Sequence, residues 1–186
     1  FYVLYHTLNK LYVKGDFFMA YSQYHEHITQ FEQNITTMVQ LIQQNEPQVL
    51  YQKPSEHEWS VMQIASHVVE AVQFWVVDLQ ALLIVPNAKW GRNHEHVRRL
   101  AAVDEQVVKA ISIEDISTSL NALIPTVKQA LSLVEETHLD NIAPSYNPNF
   151  DQKPLSFLIN HLIIQHIASH KGQMERHLAK VLAAQN

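Results

Sequence analysis

Four histidines of this chain occupy positions where they could act together on a metal ion. His166, His170 and His177 occur in the segment HIASHKGQMERH, and His67 occurs far upstream in WSVMQIASHVVEA. At about 100° per residue, the first three fall within one sector of roughly 60° on a helix, beside apolar residues. His67 lies on an apolar stripe of its own predicted helix. We therefore expect all four imidazole rings to point into the protein interior.

The spacing of His166 and His170 is the most informative part of this pattern. Histidines at i and i+4 share one helix face, so both rings can reach one ion, as in zinc-binding H-x-x-x-H helices. The residues between them include Ile, Ala and Ser, so the glutamate of the metalloprotease motif is absent. Separately buried, unpaired imidazoles would each cost roughly a kilocalorie per mole or more, which favours a shared ion. Three neutral imidazoles suit zinc, nickel, iron or copper.

The remaining histidines give weaker signals. His161 lies on the opposite side of the same predicted helix, so we expect it to be solvated. Histidines two residues apart, as in the two H-E-H segments, point in different directions on a helix. We expect the following histidines at the surface: His25, His27, His57, His94, His96 and His138.

Two carboxyl groups follow His67 on the same predicted helix. Glu70 and Asp78 face inward or nearly so. Each could form a buried hydrogen bond, or it could support the metal site or act as a catalytic acid or base. Both interpretations stay open, and Glu70 and Asp78 are candidate catalytic residues.

The elements that must position these residues are helical. Ser60 is a candidate N-cap, the segment SIED has the form of a capping box that begins at Ser112, and Pro154 suits the first turn of a helix. Pro125 lies within one predicted helix and should kink or split it. With apolar residues at three- and four-residue spacing, these signals predict four long helices at about 21–44, 60–84, 112–137 and 154–183.

Four long helices without a convincing strand predict an all-α fold, a four-helix bundle. Residues 87–111 are expected to form an excursion that holds one short helix. Residues 1–18 precede Met19 and are predicted to be a non-native leader, because a ribosome-binding site could be encoded just upstream of that methionine. A single domain is then expected over residues 19–186.

The composition agrees with a helical globular domain. Hydrophobic residues make up 47% of the 186 residues, and there are only three glycines, which favours long helices over a turn-rich β fold. The formal charge of −5, without a Lys or Arg cluster, argues against nucleic acid as a partner. The chain has no cysteine, so thiol chemistry would need a thiol from a substrate. With no membrane span or signal peptide apparent, we expect a cytoplasmic protein with no membrane partner.

Two segments of the chain resemble motifs of the DinB/YfiT-like superfamily of metal-dependent bundle proteins. EWSVMQIASHVVEA is similar to that family's Trp-Ser-x-x-x-Ile-x-x-His signature, and HIASHKGQM to its His-x-x-x-His-x-x-Gln run. The resemblance implies that His67, His166 and His170 are ligands of one divalent ion, nickel, zinc or iron, and that the protein is a homodimer. His177 does not belong to the family pattern.

The resemblance also implies a function. Family activities include transfer of low-molecular-weight thiols such as bacillithiol or mycothiol onto electrophiles, so a metal-dependent thiol transferase acting on a small-molecule substrate is our first hypothesis. A metal-dependent hydrolase, in which Glu70 or Asp78 moves the proton, is the second. A non-enzymatic bundle that binds metal for stability or stress response is the third.

Overall fold

The computed structural model describes residues 24–185, and this part of the chain is all-α, with isolated bridges but no strand. The expected all-α class is confirmed. The helices are α1 His25–Gln43, α2 Pro47–Tyr51, α3 Val61–Ile84, α4 Val97–Val103, α5 Glu105–Lys109, α6 Ile113–Leu131, and α7, which runs through the successive stretches Leu155–Phe157, Leu158–Gln165 and His166–Ala183. The predicted leader and the predicted start of the first helix lie outside the described residues.

Helices α1, α3, α6 and α7 pack around a common core. Helix α6 contacts both α1 and α3, and α7 also contacts both α1 and α3. The side chains that fill the centre are fully buried aliphatic and aromatic residues, among them Phe31, Ile35, Leu79, Leu120 and Leu158. This arrangement brings α3, which carries His67, against α7, which carries the other candidate ligands.

Helix α3 begins where the sequence predicts. The hydroxyl oxygen of Ser60 accepts a hydrogen bond from the backbone N–H of Gln63, and the Gln63 side chain accepts one from the backbone N–H of Ser60. This reciprocal capping box satisfies N–H groups that a helix start otherwise leaves unpaired. By length and composition α3 is apolar enough to cross a membrane, with a mean hydropathy of 1.4 over its most apolar window, 44% of which is buried within the protein.

Helix α6 departs from the prediction at its end. Ser112 caps its start as expected, by accepting a hydrogen bond from the backbone N–H of Asp115, and the helix continues through Pro125 without splitting. It ends at Leu131 rather than near Thr137. The Ser132 hydroxyl donates to the carbonyl of Gln129 at 2.7 Å, a local bond that competes with helix continuation.

The excursion between α3 and α6 contains two short helices, α4 and α5, where the sequence predicted one. Asp104 separates them and caps α5 by accepting from the backbone N–H groups of Gln106 and Val107. The Gln63 side chain donates to the Val103 carbonyl at 2.7 Å, which fastens the end of α4 to the start of α3. The excursion is therefore fixed beside the end of α3 that precedes His67.

Helix α7 has an irregularity that the sequence did not indicate. Its stretch Leu158–Gln165 is π-helical, and the backbone N–H of His166 bonds to the carbonyl of His161, five residues earlier. A π-helix turns by roughly 80° per residue instead of about 100°, so side chains within it shift around the axis relative to an α-helical projection. Positions before and after this stretch therefore do not share one α-helical phase.

Candidate metal centre

Three histidines from two helices meet at one point. His67 comes from the first half of α3, and His166 and His170 come from the start of the last α-helical stretch of α7. Each offers one ring nitrogen, and these three atoms lie within 4.8 Å of one another. The structure thus brings together the three residues that the sequence predicted as metal ligands.

Burial keeps the three rings neutral. Removal from water lowers the pKa of His67 to about 2 and that of His166 to about 3, and it also lowers the pKa of His170. The positive charge that a neighbouring histidine would carry is a smaller contribution to the same lowering of the pKa values of His67 and His166. Neutral imidazole is the form that binds a metal ion, so the site is in its ligating state at neutral pH.

The hydrogen bonds of the site leave buried ring nitrogens without partners. Gln173 Oε1 lies 2.8 Å from His170 Nδ1, so that nitrogen carries the proton and His170 Nε2 offers a lone pair. His166 Nε2 lies 2.9 Å from His170 Nε2 and must donate to it, which leaves His166 Nδ1 as a lone pair. His166 Nδ1 and His67 Nδ1 are both buried without a hydrogen-bond partner. The approach of the His166 and His170 Nε2 atoms to 2.9 Å, beside His67, and the neutral donor set fit a divalent ion shared by the three rings.

Trp59 covers one side of the three histidines. Its ring centroid is 5.2 Å from that of His67, and its ring stacks on His170 with centroids 6.4 Å apart. The ring stays close to the site because the next residue, Ser60, is fixed as the N-cap of α3. Trp59 therefore limits the access of water to this face of the site.

His177 lies apart from the three candidate ligands and has a different set of contacts. It is buried, its Nδ1 lies 2.7 Å from the Trp59 carbonyl oxygen, and its Nε2 lies 3.3 Å from a carboxylate oxygen of Glu58. The carbonyl can only accept, so Nδ1 donates the hydrogen bond. His177 points inward as expected, and it links the end of α7 to the segment that carries Trp59.

The two candidate catalytic carboxyl groups hold other parts of the structure. Both oxygens of Glu70 accept hydrogen bonds from Arg92, at 2.5 and 2.6 Å. Asp78 accepts from the backbone N–H of Gly91 at 2.8 Å, and burial raises its pKa. Gly91 has a φ of +82°, and a Cβ atom there would lie 2.6 Å from Ser145 Oγ, so glycine is required at this turn. A catalytic role for Glu70 or Asp78 stays a prediction.

A cavity of about 440 Å³ opens beside the three histidines. This volume is within the usual range for small-molecule sites. Its wall includes the candidate ligands, aromatic rings such as Trp59, Trp75 and Phe150, and the guanidinium groups of Arg92 and Arg99. Neither Glu70 nor Asp78 belongs to the wall.

His161 is exposed, as predicted, but it also lines the cavity on the side of His166. The α-helical projection placed it on the opposite face. Over the five residues to His166, the smaller rotation of the π-helical stretch changes the relative angle by roughly 100°, which accounts for the difference. His94 likewise is exposed and lines the cavity, whereas His27, His96 and His138 are partly buried instead of fully at the surface.

Sequence reasoning missed Arg92 and Arg99 as parts of this site. Both lie in the excursion between α3 and α6, where no periodic spacing of apolar residues indicates which side chains face the core. A guanidinium group is ordinarily a surface group, and an arginine in an irregular segment gives no sign of its direction.

These features define a class: an all-α protein with a candidate three-histidine metal centre at the wall of a cavity. A family model described as the DinB superfamily matches residues 30–174, which is well over half of the chain. The chain belongs to the DinB superfamily. Neither a curated protein nor a solved structure matches this chain.

Proposed function

We propose that this protein is a metal-dependent enzyme of the thiol S-transferase type, with its four long helices arranged as the DinB/YfiT-like four-helix bundle. One observation carries the proposal: three neutral, buried histidines meet at the wall of a cavity large enough for a small organic molecule. A site for stability alone does not need such a cavity. His67, His166 and His170 would hold one divalent ion, nickel, zinc or iron.

The proposed reaction needs a nucleophile that the chain does not supply. The sequence contains no cysteine, so the attacking thiol must belong to a cosubstrate, such as a low-molecular-weight thiol. When bound, the ion would supply the positive charge that ionises a coordinated thiol. The protein residues then keep the histidines neutral by burial, orient His170 through Gln173, and exclude water through Trp59.

The hydrolase alternative is less well supported by the carboxyl groups. A metal-dependent hydrolase commonly uses a carboxylate or histidine to move the proton of the attacking water. Within the described residues the cavity wall contains no Asp or Glu, and the two carboxyl groups that were candidates for this role bind Arg92 and Gly91. A base at the wall would therefore have to be one of the two exposed histidines outside the candidate ligand set, His94 or His161. A free thiol has a pKa of about 8.5, far below that of water, so a thiol coordinated by the ion would release its proton to solvent with less need for a base, which favours transfer over hydrolysis.

The test combines metal content with activity. Wild-type protein, reconstituted separately with nickel, zinc and iron, is assayed with a low-molecular-weight thiol and a chromogenic electrophile such as 1-chloro-2,4-dinitrobenzene, and in parallel with model esters. We expect about one ion per chain and metal-dependent thiol consumption with little ester cleavage. His67→Ala should lose both the ion and the activity.

The matched control is His161→Ala, which removes an exposed histidine of the same cavity wall that is not a candidate ligand. It should retain the ion. Equal metal content in wild type and His67→Ala would refute the metal site. Ester cleavage without thiol transfer would support the hydrolase instead, and full metal loading without either activity would support a non-enzymatic role.

A further inference from the structure

The positive charges near the cavity outnumber the negative ones. Three guanidinium groups, those of Arg92, Arg98 and Arg99, surround the carboxylate of Glu70, and the charge of Arg92 also acts on Asp78. Arg92 binds both oxygens of Glu70, and Arg98 approaches one of them at 3.7 Å from the solvent side. The charge of Glu70 acts on Arg99, but Arg99 forms no ion pair in the described part of the chain. Three guanidinium groups against two carboxyl groups thus leave Arg99 without an ion-pair partner among these residues.

Arg99 is held at the cavity wall with donors to spare. Its Nη1 donates to the His94 carbonyl at 2.8 Å, and its guanidinium carbon lies 5.7 Å from the ring centroid of Trp59. A guanidinium group has five N–H donors in a planar fork, so this bond leaves most of them available. Because Trp59 itself stacks on His170, the Trp59 ring lies between the Arg99 guanidinium group and the three histidines.

The rest of the wall provides no competing negative charge. Among the described residues, the wall contains two arginines and five histidines but neither Asp nor Glu. Apolar groups cover much of the remaining surface, including Ala71, Trp75, Phe150 and Leu162. The protein as a whole has a formal charge of −5, opposite in sign to the arginines of this cavity. A cavity of this kind attracts an anion that also has an apolar body.

We propose that Arg99 binds the oxyanion of an organic substrate, a carboxylate or phosphate, whose apolar body lies against Trp75, Phe150 and Leu162. Arg99 is then a specificity-determining residue for the cavity. A guanidinium fork binds either oxyanion through two parallel hydrogen bonds. The inference rests on the proposed function only in taking this cavity as the substrate site.

Binding of simple probes to the metal-free protein tests the proposal without reference to catalysis. Isothermal titration calorimetry compares 1-naphthylacetate and 1-naphthyl phosphate with the neutral 1-naphthylacetamide. We expect at least one of the two anions to bind wild type about ten-fold or more tightly than the amide. Arg99→Gln should lower the affinity for that anion by about ten-fold to a hundred-fold, because it removes the charge-assisted bond to the ligand. The affinity for the amide, which forms no such bond, should stay unchanged. The affinity of Arg99→Lys for that anion should lie between those of wild type and Arg99→Gln, since lysine keeps the charge but lacks the planar fork of donors.

Arg98→Gln is the matched control, because Arg98 is the neighbouring, largely exposed arginine and does not belong to the cavity wall. It should bind all three probes as wild type does, and the melting temperature of each variant shows whether it is folded. Failure of both anions to bind wild type, equal binding of anions and amide, or equal loss in Arg98→Gln would each overturn the proposal. These titrations use no metal, so a failure of the metal site would leave their outcome unaffected, and the reverse also holds.

Discussion

His177→Ala is the substitution that best separates the role of a ligand from the role of a positioning residue. His177 lies on the same helix as His166 and His170, yet it donates to the Trp59 carbonyl instead of joining the three-histidine group. Its replacement should therefore leave the ion bound. It should instead loosen the segment that carries Trp59, whose ring covers His67 and His170.

The expected loss of stability follows from two contributions. The Trp59 carbonyl loses the donor that stands 2.7 Å away, which costs about 1–3 kcal/mol for a buried group left unpaired. The side chain of His177 is 8% exposed, so truncation to alanine also removes packing contacts worth about 1 kcal/mol or more. Together these give about 2–4 kcal/mol, or a fall in melting temperature of roughly 4–16 °C for a domain of this size.

The assay measures metal and stability on the same samples. Elemental analysis gives ions per chain, urea unfolding of the metal-free protein gives the free energy of unfolding, and tryptophan fluorescence reports the surroundings of Trp59, one of three tryptophans. His161→Ala is the control on the same helix, because His161 is exposed and its ring contacts the nearby side chains of Gln165 and Phe157 on the same helix. It should change neither metal content nor melting temperature appreciably.

The reasoning would be refuted by metal loss in His177→Ala as large as that in His170→Ala, with His166→Ala retaining its ion. That result would mean that His170 and His177 form the ligand pair. A variant that keeps both its ion and the wild-type free energy of unfolding would refute the positioning role of the hydrogen bond to Trp59.

Three further outcomes are expected. In the metal-free protein the free energy of unfolding should be largest above pH about 6.5 and should fall as the pH is lowered, because the histidines of the unfolded chain then bind protons, whereas buried His67 and His166 stay neutral until a far lower pH. The loss by pH 5 is roughly 2 kcal/mol per histidine. His67→Gln should reduce the slope of unfolding free energy against pH, measured by urea titrations. Chelation should lower the melting temperature by scanning calorimetry but leave the helical circular dichroism spectrum intact, since the core does not depend on the ion; complete unfolding would indicate a structural site. Glu70→Gln should lower the free energy of unfolding, measured in urea, by about 3 kcal/mol or more, because it leaves the buried charge of Arg92 unpaired. The control Glu105→Gln breaks an exposed ion pair with Lys109 and should leave the free energy of unfolding nearly unchanged.

The sequence was sufficient for the candidate ligands because their positions obey local rules. His67 could be placed on an inner face because it lies on an apolar stripe of α3, a regular helix that begins at the Ser60 cap. His166 and His170 lie one α-helical turn apart in a stretch that is regular, so their common face followed from spacing. These inferences needed only the geometry of a single helix, whereas the choice of these three histidines as one ligand set came from the family resemblance.

The cavity could not be predicted because it depends on contacts between distant segments. Arg92 reaches Glu70 across 22 positions, and Asn147 donates to the Arg92 carbonyl across 55. The position of Arg99 depends on how α4 docks against α3, through the bond from Gln63 to Val103. The end of α6 at Leu131 and the π-helical stretch of α7 also depend on hydrogen-bond choices that apolar periodicity does not encode.

The π-helical stretch of α7 sets how the helix face before Leu158 is rotated relative to the face after Gln165. Leu158–Gln165 accommodates its residues with bonds that span five positions, so it holds more chain per unit of helix rise than a regular helix would. Deletion of one residue there could restore regular α-helical bonding without breaking the helix. The apolar residues before Leu158 and the histidines after Gln165 would each keep their own pattern, but the two patterns would rotate relative to each other. Replacing eight residues at roughly 80° each with seven at about 100° gives a relative rotation of roughly 60°, so His166 and His170 would move around the helix axis relative to His67 although hydrophobicity hardly changes.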